Sequence, residues 1–215
     1  ALAQQHTVYA LDRRGHGDSH KPPAGHYHFL DFAQDLCGVI EALDLSRIVG
    51  IGHSAGATDL LLAAALLPAR FGRVFAMEPT VMDPRTPVPA GARLSDEGAN
   101  GVTGVLRRRA EFDNAAAAMA RLRSAPAFAD WTPEALQAYV SHGFETLPDG
   151  RVSLLCTPAT EAAMLGPIFE AMEQIYTGDE RGNPFARLSA IRCPVTIATS
   201  DHPWPIYRQM AERAM

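Results

Sequence analysis

Apolar and polar positions divide this chain into segments of different period. Residues 6–11 (HTVYAL) gather β-branched and aromatic side chains in a short apolar run, which predicts a buried strand. Residues 31–43 instead place Phe32, Leu36, Val39, Ile40 and Leu43 at the spacing of one helix face. Residues 47–51 predict a second strand, 55–67 an Ala/Leu-rich helix ended by Pro68, and 73–77 a third strand. Strands separated by helices imply crossover connections and a parallel sheet. The strands show no polar alternation, so both faces of that sheet are expected to be covered.

From Glu78 onward the texture changes. A stretch rich in Pro, Gly and Asp runs to about residue 101, and Ala/Leu/Met-rich segments near 105–125, 132–145 and 159–176 follow with helical spacing and no strand between them. Residues 193–201 (CPVTIATSD) return to the strand pattern, and 204–215 look helical. The expected organisation is an α/β core over 1–84, a helical cap inserted over 85–190, and the core resumed over 191–215.

Composition adds exclusions. A net charge of −5 and a pI of about 5.9 leave no basic face for nucleic acid. The one basic run, Arg107-Arg108-Arg109, reads as a solvated helix face. Cys37, Cys156 and Cys193 stand too far apart for a zinc knuckle or a disulfide framework and read as buried reduced thiols, so a cytoplasmic protein is expected. No apolar run approaches the ~18 residues that cross a bilayer, so no membrane partner is expected. No metal cluster, phosphate loop or dinucleotide fingerprint is visible, and no cofactor is implied.

The candidate chemistry sits between the second strand and its helix. Gly52-His53-Ser54-Ala55-Gly56 fits G-x-S-x-G in the strand–turn–helix context that gives the pattern meaning. A serine on such a corner adopts a strained backbone, and the flanking glycines are expected to be bare so that strand and helix can close together. Its hydroxyl then stands at the carboxyl end of the sheet, where open α/β folds bind ligands. The Ala55 N–H at the helix start can donate to an oxyanion.

These segments, "DRRGHGDSHKPP" at 12–23 and "FAQDLCGVIEALDLSRIVGIGHSAGA" at 32–57, resemble the α/β-hydrolase superfamily. The resemblance continues through the "EP" at 78–79, the cap and the strand near the end. It implies an α/β-hydrolase-type parallel sheet with flanking helices and a cap, and it makes Ser54 the nucleophile. His16-Gly17 is similar to the family's oxyanion pair but follows the wrong strand, so Gly15 and Gly17 read as turn glycines and His16 as a loop residue.

A serine nucleophile needs a base, and the base needs an orienting carboxylate. Asp201, ending the last strand, is the first candidate for the acid. Glu78, ending the strand after the nucleophile, is the alternative, because some family members place their acid there. The family order puts the histidine last, yet only His202 follows Asp201, and adjacent side chains on an extended segment point apart. The remaining histidines read as loop or surface residues. The family's sheet order also needs strands that these residues do not supply, which would leave unpaired strand edges. The expectation is therefore a hydrolase truncated at both ends, with an incomplete sheet and no activity of its own.

The cap aromatics read mainly as subdomain core, with His53 beside the nucleophile and Trp131 in the cap as candidate substrate contacts. The resemblance implies a small-molecule ester or related acyl substrate processed through an acyl-enzyme. A serine where family dehalogenases and epoxide hydrolases carry aspartate argues against those two chemistries. The alternatives are a non-catalytic binding or scaffold module on this fold, and acyl transfer or perhydrolysis by the same residues.

Overall fold

The computed structural model describes residues 2–23, 26–85, 94–176, 185–200 and 205–214. The chain forms two compact units, one from residues 1–23 and 102–163, the other from 24–101 and 164–215. Composition draws the boundaries elsewhere, at 84/85 and 190/191.

The second unit is built on a parallel sheet in the order β1 (Ile48–His53), β2 (Phe71–Met77), β6 (Val195–Ala198). Helix α1 (Phe29–Ala42) precedes it, and α2 (Ala55–Leu66) connects β1 to β2. All five elements lie where their periodicity predicts them. His28 caps α1: its Nδ1 accepts from the Leu30 N–H, and the Asp31 carboxylate accepts from the His28 N–H at 2.9 Å. Leu43, expected on the inward face of this helix, is its exposed C-cap instead. The Ala/Leu surface of α2 packs on β1 and β2, burying Ala57, Leu61, Ala63, Ala64, Val74 and Ala76, joined by Ile40 of α1. Burial of each Leu, Ile or Val side chain among these contributes about 1.5–3 kcal/mol. Val81 and Met82, just beyond β2, are buried as well and hold down the loop that starts at Glu78.

Two expectations about this sheet fail. Residues 7–13 form no strand, and Val8, Tyr9 and Leu11 are exposed. An extended run becomes a strand only when a neighbour accepts its hydrogen bonds, and no described strand pairs with this one. Nor is β1 covered on both sides. Gly50 is buried toward α2, whereas Val49 and Ile51 on the opposite face are 58% and 51% exposed. Among the described strands β1 pairs only with β2, so its other edge carries no ladder.

The first unit also corrects the sequence reading. Residues expected to be wholly helical contain three short antiparallel strands, β3 (Glu111–Phe112), β4 (Phe144–Thr146) and β5 (Val152–Leu154), in the order β3-β5-β4. Strands of two or three residues are too short to display a period of two. Helices α4 (Ala115–Arg123) and α5 (Pro133–His142), capped by Asn114 and Thr132, bury Ala118, Leu122, Leu136 and Val140 against Phe112 and Phe144. Arg107–Arg109 lie beyond the end of α3 (Leu94–Leu106), not on a helix face. Arg108 pairs with Glu161, and the Arg109 guanidinium lies 4.8 Å from the centre of the Phe112 ring. In the loop of residues 12–20, Gly15 and Gly17 adopt φ of 85° and 46°, as turn glycines do. A side chain at Gly17 would collide with the Asp12 carboxylate. Burial pushes the His16 imidazole below its usual pKa.

Helices α6 (Pro158–Tyr176) and α7 (Pro205–Ala214) complete the described α-helices. No described helix is long and apolar enough to cross a membrane. The three cysteines are free and half-buried rather than fully buried.

Candidate active site

β1 ends at His53, α2 begins at Ala55, and Ser54 alone makes the corner with φ 52° and ψ −124°. A non-glycine residue rarely holds this backbone conformation, which costs about 1–3 kcal/mol and persists only where the surroundings impose it. Here the imposing contacts are visible. The Ser54 N–H donates to the Met77 carbonyl at the end of β2 at 2.8 Å, so the corner stays in register with the sheet. The Ser54 carbonyl accepts from the Ala57 and Thr58 N–H groups at 3.0 and 3.1 Å, which starts the helix.

Gly52 shows why the corner needs a bare residue. A Cβ there would lie 2.7 Å from the Gly56 oxygen and 2.8 Å from the Ala57 nitrogen. Gly56 differs from expectation, since nothing lies within 4 Å of a Cβ built on it. Only the first of the two motif glycines is required by strand–helix approach.

The Ser54 side chain makes no capping bond to α2, and the residue is half-buried. Its hydroxyl is thus held at the helix start without being spent on the cap. The Ala55 and Gly56 N–H groups have no carbonyl to bond within the helix, and the helix dipole favours negative charge beside them.

The second strained residue of the site is Glu78, with φ 45° immediately after β2. Its N–H donates to the Ala198 carbonyl at 2.8 Å, tying it to the end of β6. Its Oε1 accepts two hydrogen bonds from Ser200, from the N–H at 3.1 Å and from the hydroxyl at 2.9 Å. Its Oε2 lies 3.9 Å from His53 Nε2. The Ser200 N–H foremost, then the Ser200 hydroxyl and the neighbouring His53, hold this carboxyl below its ordinary range against the opposing effect of burial.

Ser54, Ala55, His53 and Glu78 therefore gather at the carboxyl ends of adjacent strands of one unit. The His53 imidazole is 66% exposed. Trp131 belongs to the other unit, where its ring stacks edge-on against Phe128 and Tyr139. Asp201, like His202, lies outside the described residues. Among the described residues no group of three or more His, Cys, Asp or Glu could hold a metal ion.

Two residues of the site escape sequence reasoning. Ser200 sits one place before the favoured Asp201, and its signal is a residue with two donors at the end of a strand facing another strand-end carboxylate. Thr58, fully buried, lies four places after Ser54. Its hydroxyl reaches the Ser54 and Thr80 carbonyls, both at 3.3 Å, and accepts from the Thr80 N–H at 2.9 Å. A threonine one helical turn beyond the corner is the available hint.

Beside the strained serine between strand and helix stand N–H groups at a helix start and, one residue beyond β2, the Glu78 carboxylate. The chain belongs to the alpha/beta hydrolase fold family, whose family model matches residues 1–202. It is 39% identical to a 2-(acetamidomethylene)succinate hydrolase of Mesorhizobium japonicum over 77 residues, 36% of this chain and 27% of that protein. It is 42% identical to a non-heme chloroperoxidase of Streptomyces lividans over 73 residues, 34% of this chain and 25% of that one. With esterase YbfF of Escherichia coli it shares 28% over 120 residues, 56% of this chain and 44% of the relative. These matches thus span between a quarter and under half of the relatives' lengths. Among solved structures, E-2-(acetamidomethylene)succinate hydrolase superposes with a TM-score of 0.68 at 24% identity, covering 94% of this chain and 67% of that one. The peroxisomal alpha-beta-hydrolase Lpx1 of Saccharomyces cerevisiae gives 0.67 at 19%, covering 95% and 56%. At these identities the superpositions speak for the fold.

Proposed function

We propose that the protein is a serine hydrolase acting on a carboxylic ester or a related acyl compound through an acyl-enzyme. The observation that carries this reading is the backbone of Ser54, held at φ 52° between β1 and α2. Ser54 Oγ attacks the acyl carbon while a histidine takes its proton, and the negative oxygen forms beside the Ala55 N–H. Collapse of the tetrahedral intermediate expels the leaving group, which the imidazolium protonates. Water then attacks the acyl-serine by the same route. Glu78 is the carboxylate we assign to orient the histidine, because Ser200 and Ala198 anchor it one residue beyond the strand position bonded to Ser54; Asp201 is the alternative. His53 and Trp131 remain candidate substrate contacts, and residues 85–190 the candidate cap.

Labelling with a fluorophosphonate tests this. The protein should take up one equivalent at Ser54, and Ser54→Ala should abolish it. No labelling would favour a binding module on the same fold. Similarity to non-heme chloroperoxidases supports a second reading, in which peroxide replaces water as the acyl acceptor. Competition between hydrogen peroxide and water for the acyl-enzyme separates the two.

A further inference from the structure

We propose that Ser200 is a positioning residue, whose backbone N–H and hydroxyl together clamp Oε1 of Glu78 so that Oε2 alone is presented to the imidazole side of the site. This rests on the reading of Glu78 as the orienting carboxylate. The clamp answers a physical problem. A glutamate has three rotatable side-chain bonds, and at the mouth of a sheet an unanchored carboxylate samples several rotamers. Two donors on one oxygen, at 3.1 and 2.9 Å, select one of them. The donors come from the end of β6, 122 residues away in sequence, and the Glu78 N–H is bonded to Ala198 of the same strand end. Backbone and side chain of Glu78 are thus both tied to β6, while the preceding residue, Met77, is tied to Ser54. The nucleophile and the carboxylate are held in one frame through Met77, the last residue of β2, and Glu78, the residue after it. Among the described residues, His53 is the charged or titratable group beside this carboxylate.

The experiment combines two measurements on the protein: the titration of the Glu78 carboxyl by ¹³C NMR, and the rate of fluorophosphonate labelling at Ser54. Ser200→Ala removes the hydroxyl donor and should raise the Glu78 titration midpoint and slow labelling about ten-fold, the effect of one hydrogen bond to a charged group. Ser200→Thr keeps the hydroxyl and should restore both, which a loss of general stability would not allow. An unmoved Glu78 midpoint in Ser200→Ala overturns the clamp. So does a labelling rate that Glu78→Gln leaves unchanged while Asp201→Asn abolishes it, since the carboxylate then served lies elsewhere. If Ser54 of the wild type takes no label, the hydrolase reading fails by itself, and the titration still decides whether Ser200 holds Glu78.

Discussion

A methyl group on Gly52 would stand 2.7 Å from the carbonyl oxygen of Gly56, across the tightest approach between β1 and α2. The obstacle is backbone and cannot swing away. Gly52→Ala should therefore destabilise the protein by about 1–3 kcal/mol, the range for overpacking. Gly56→Ala meets open space inside a helix and should be neutral or stabilising by up to about 1 kcal/mol. Denaturant midpoints of the two variants check this; equal losses would show that both positions are sterically required.

Ser54 bears a backbone conformation that glycine adopts freely and alanine does not. Ser54→Gly is expected to be more stable than Ser54→Ala by about 1 kcal/mol, while neither forms an acyl-enzyme. Thermal unfolding of the pair is the measurement. An alanine variant as stable as the glycine one would mean that the corner carries no strain.

Thr58 holds the corner to the loop beyond Glu78. Thr58→Val keeps the shape and removes the hydroxyl, leaving the Thr80 N–H without its partner. An unpaired buried donor costs about 1–3 kcal/mol. Hydrogen exchange should quicken at Thr80 before it does in β1 or β2; protection unchanged at Thr80 would count against the bridge.

Two carboxylates should leave separate marks on the pH dependence of stability. Glu78 is held below its usual range by Ser200. Asp83 is held further below it, by the Arg85 guanidinium first, then the Arg85 N–H and Arg213, against the effect of burial. A depressed native pKa adds stability above the unfolded value of about 4 and loses it as pH falls through the native value. Wild type should therefore exceed Glu78→Gln and Asp83→Asn in stability at pH 7. The advantage over Glu78→Gln should fade on acidification before the advantage over Asp83→Asn does. Urea titrations at stepped pH read both differences, and a gap that widens in acid would reverse the assigned sign.

Local patterns were legible in the sequence because their physics is local. Helices α1 and α2 follow from a repeat of apolar positions, β1, β2 and β6 from compact apolar runs, and the Ser54 corner from five consecutive residues. Residues 6–11 have a strand's composition, but composition cannot supply the neighbour that a ladder requires. Residues 111–154 hide three strands because two or three residues cannot show alternation. Only tertiary structure brought Ser200 onto Glu78 and Thr58 onto Thr80, across separations of 122 and 22 residues. It likewise showed that one motif glycine is squeezed and the other free. Such relations depend on which strand ends meet in the sheet, and contact between distant segments leaves no period along the chain.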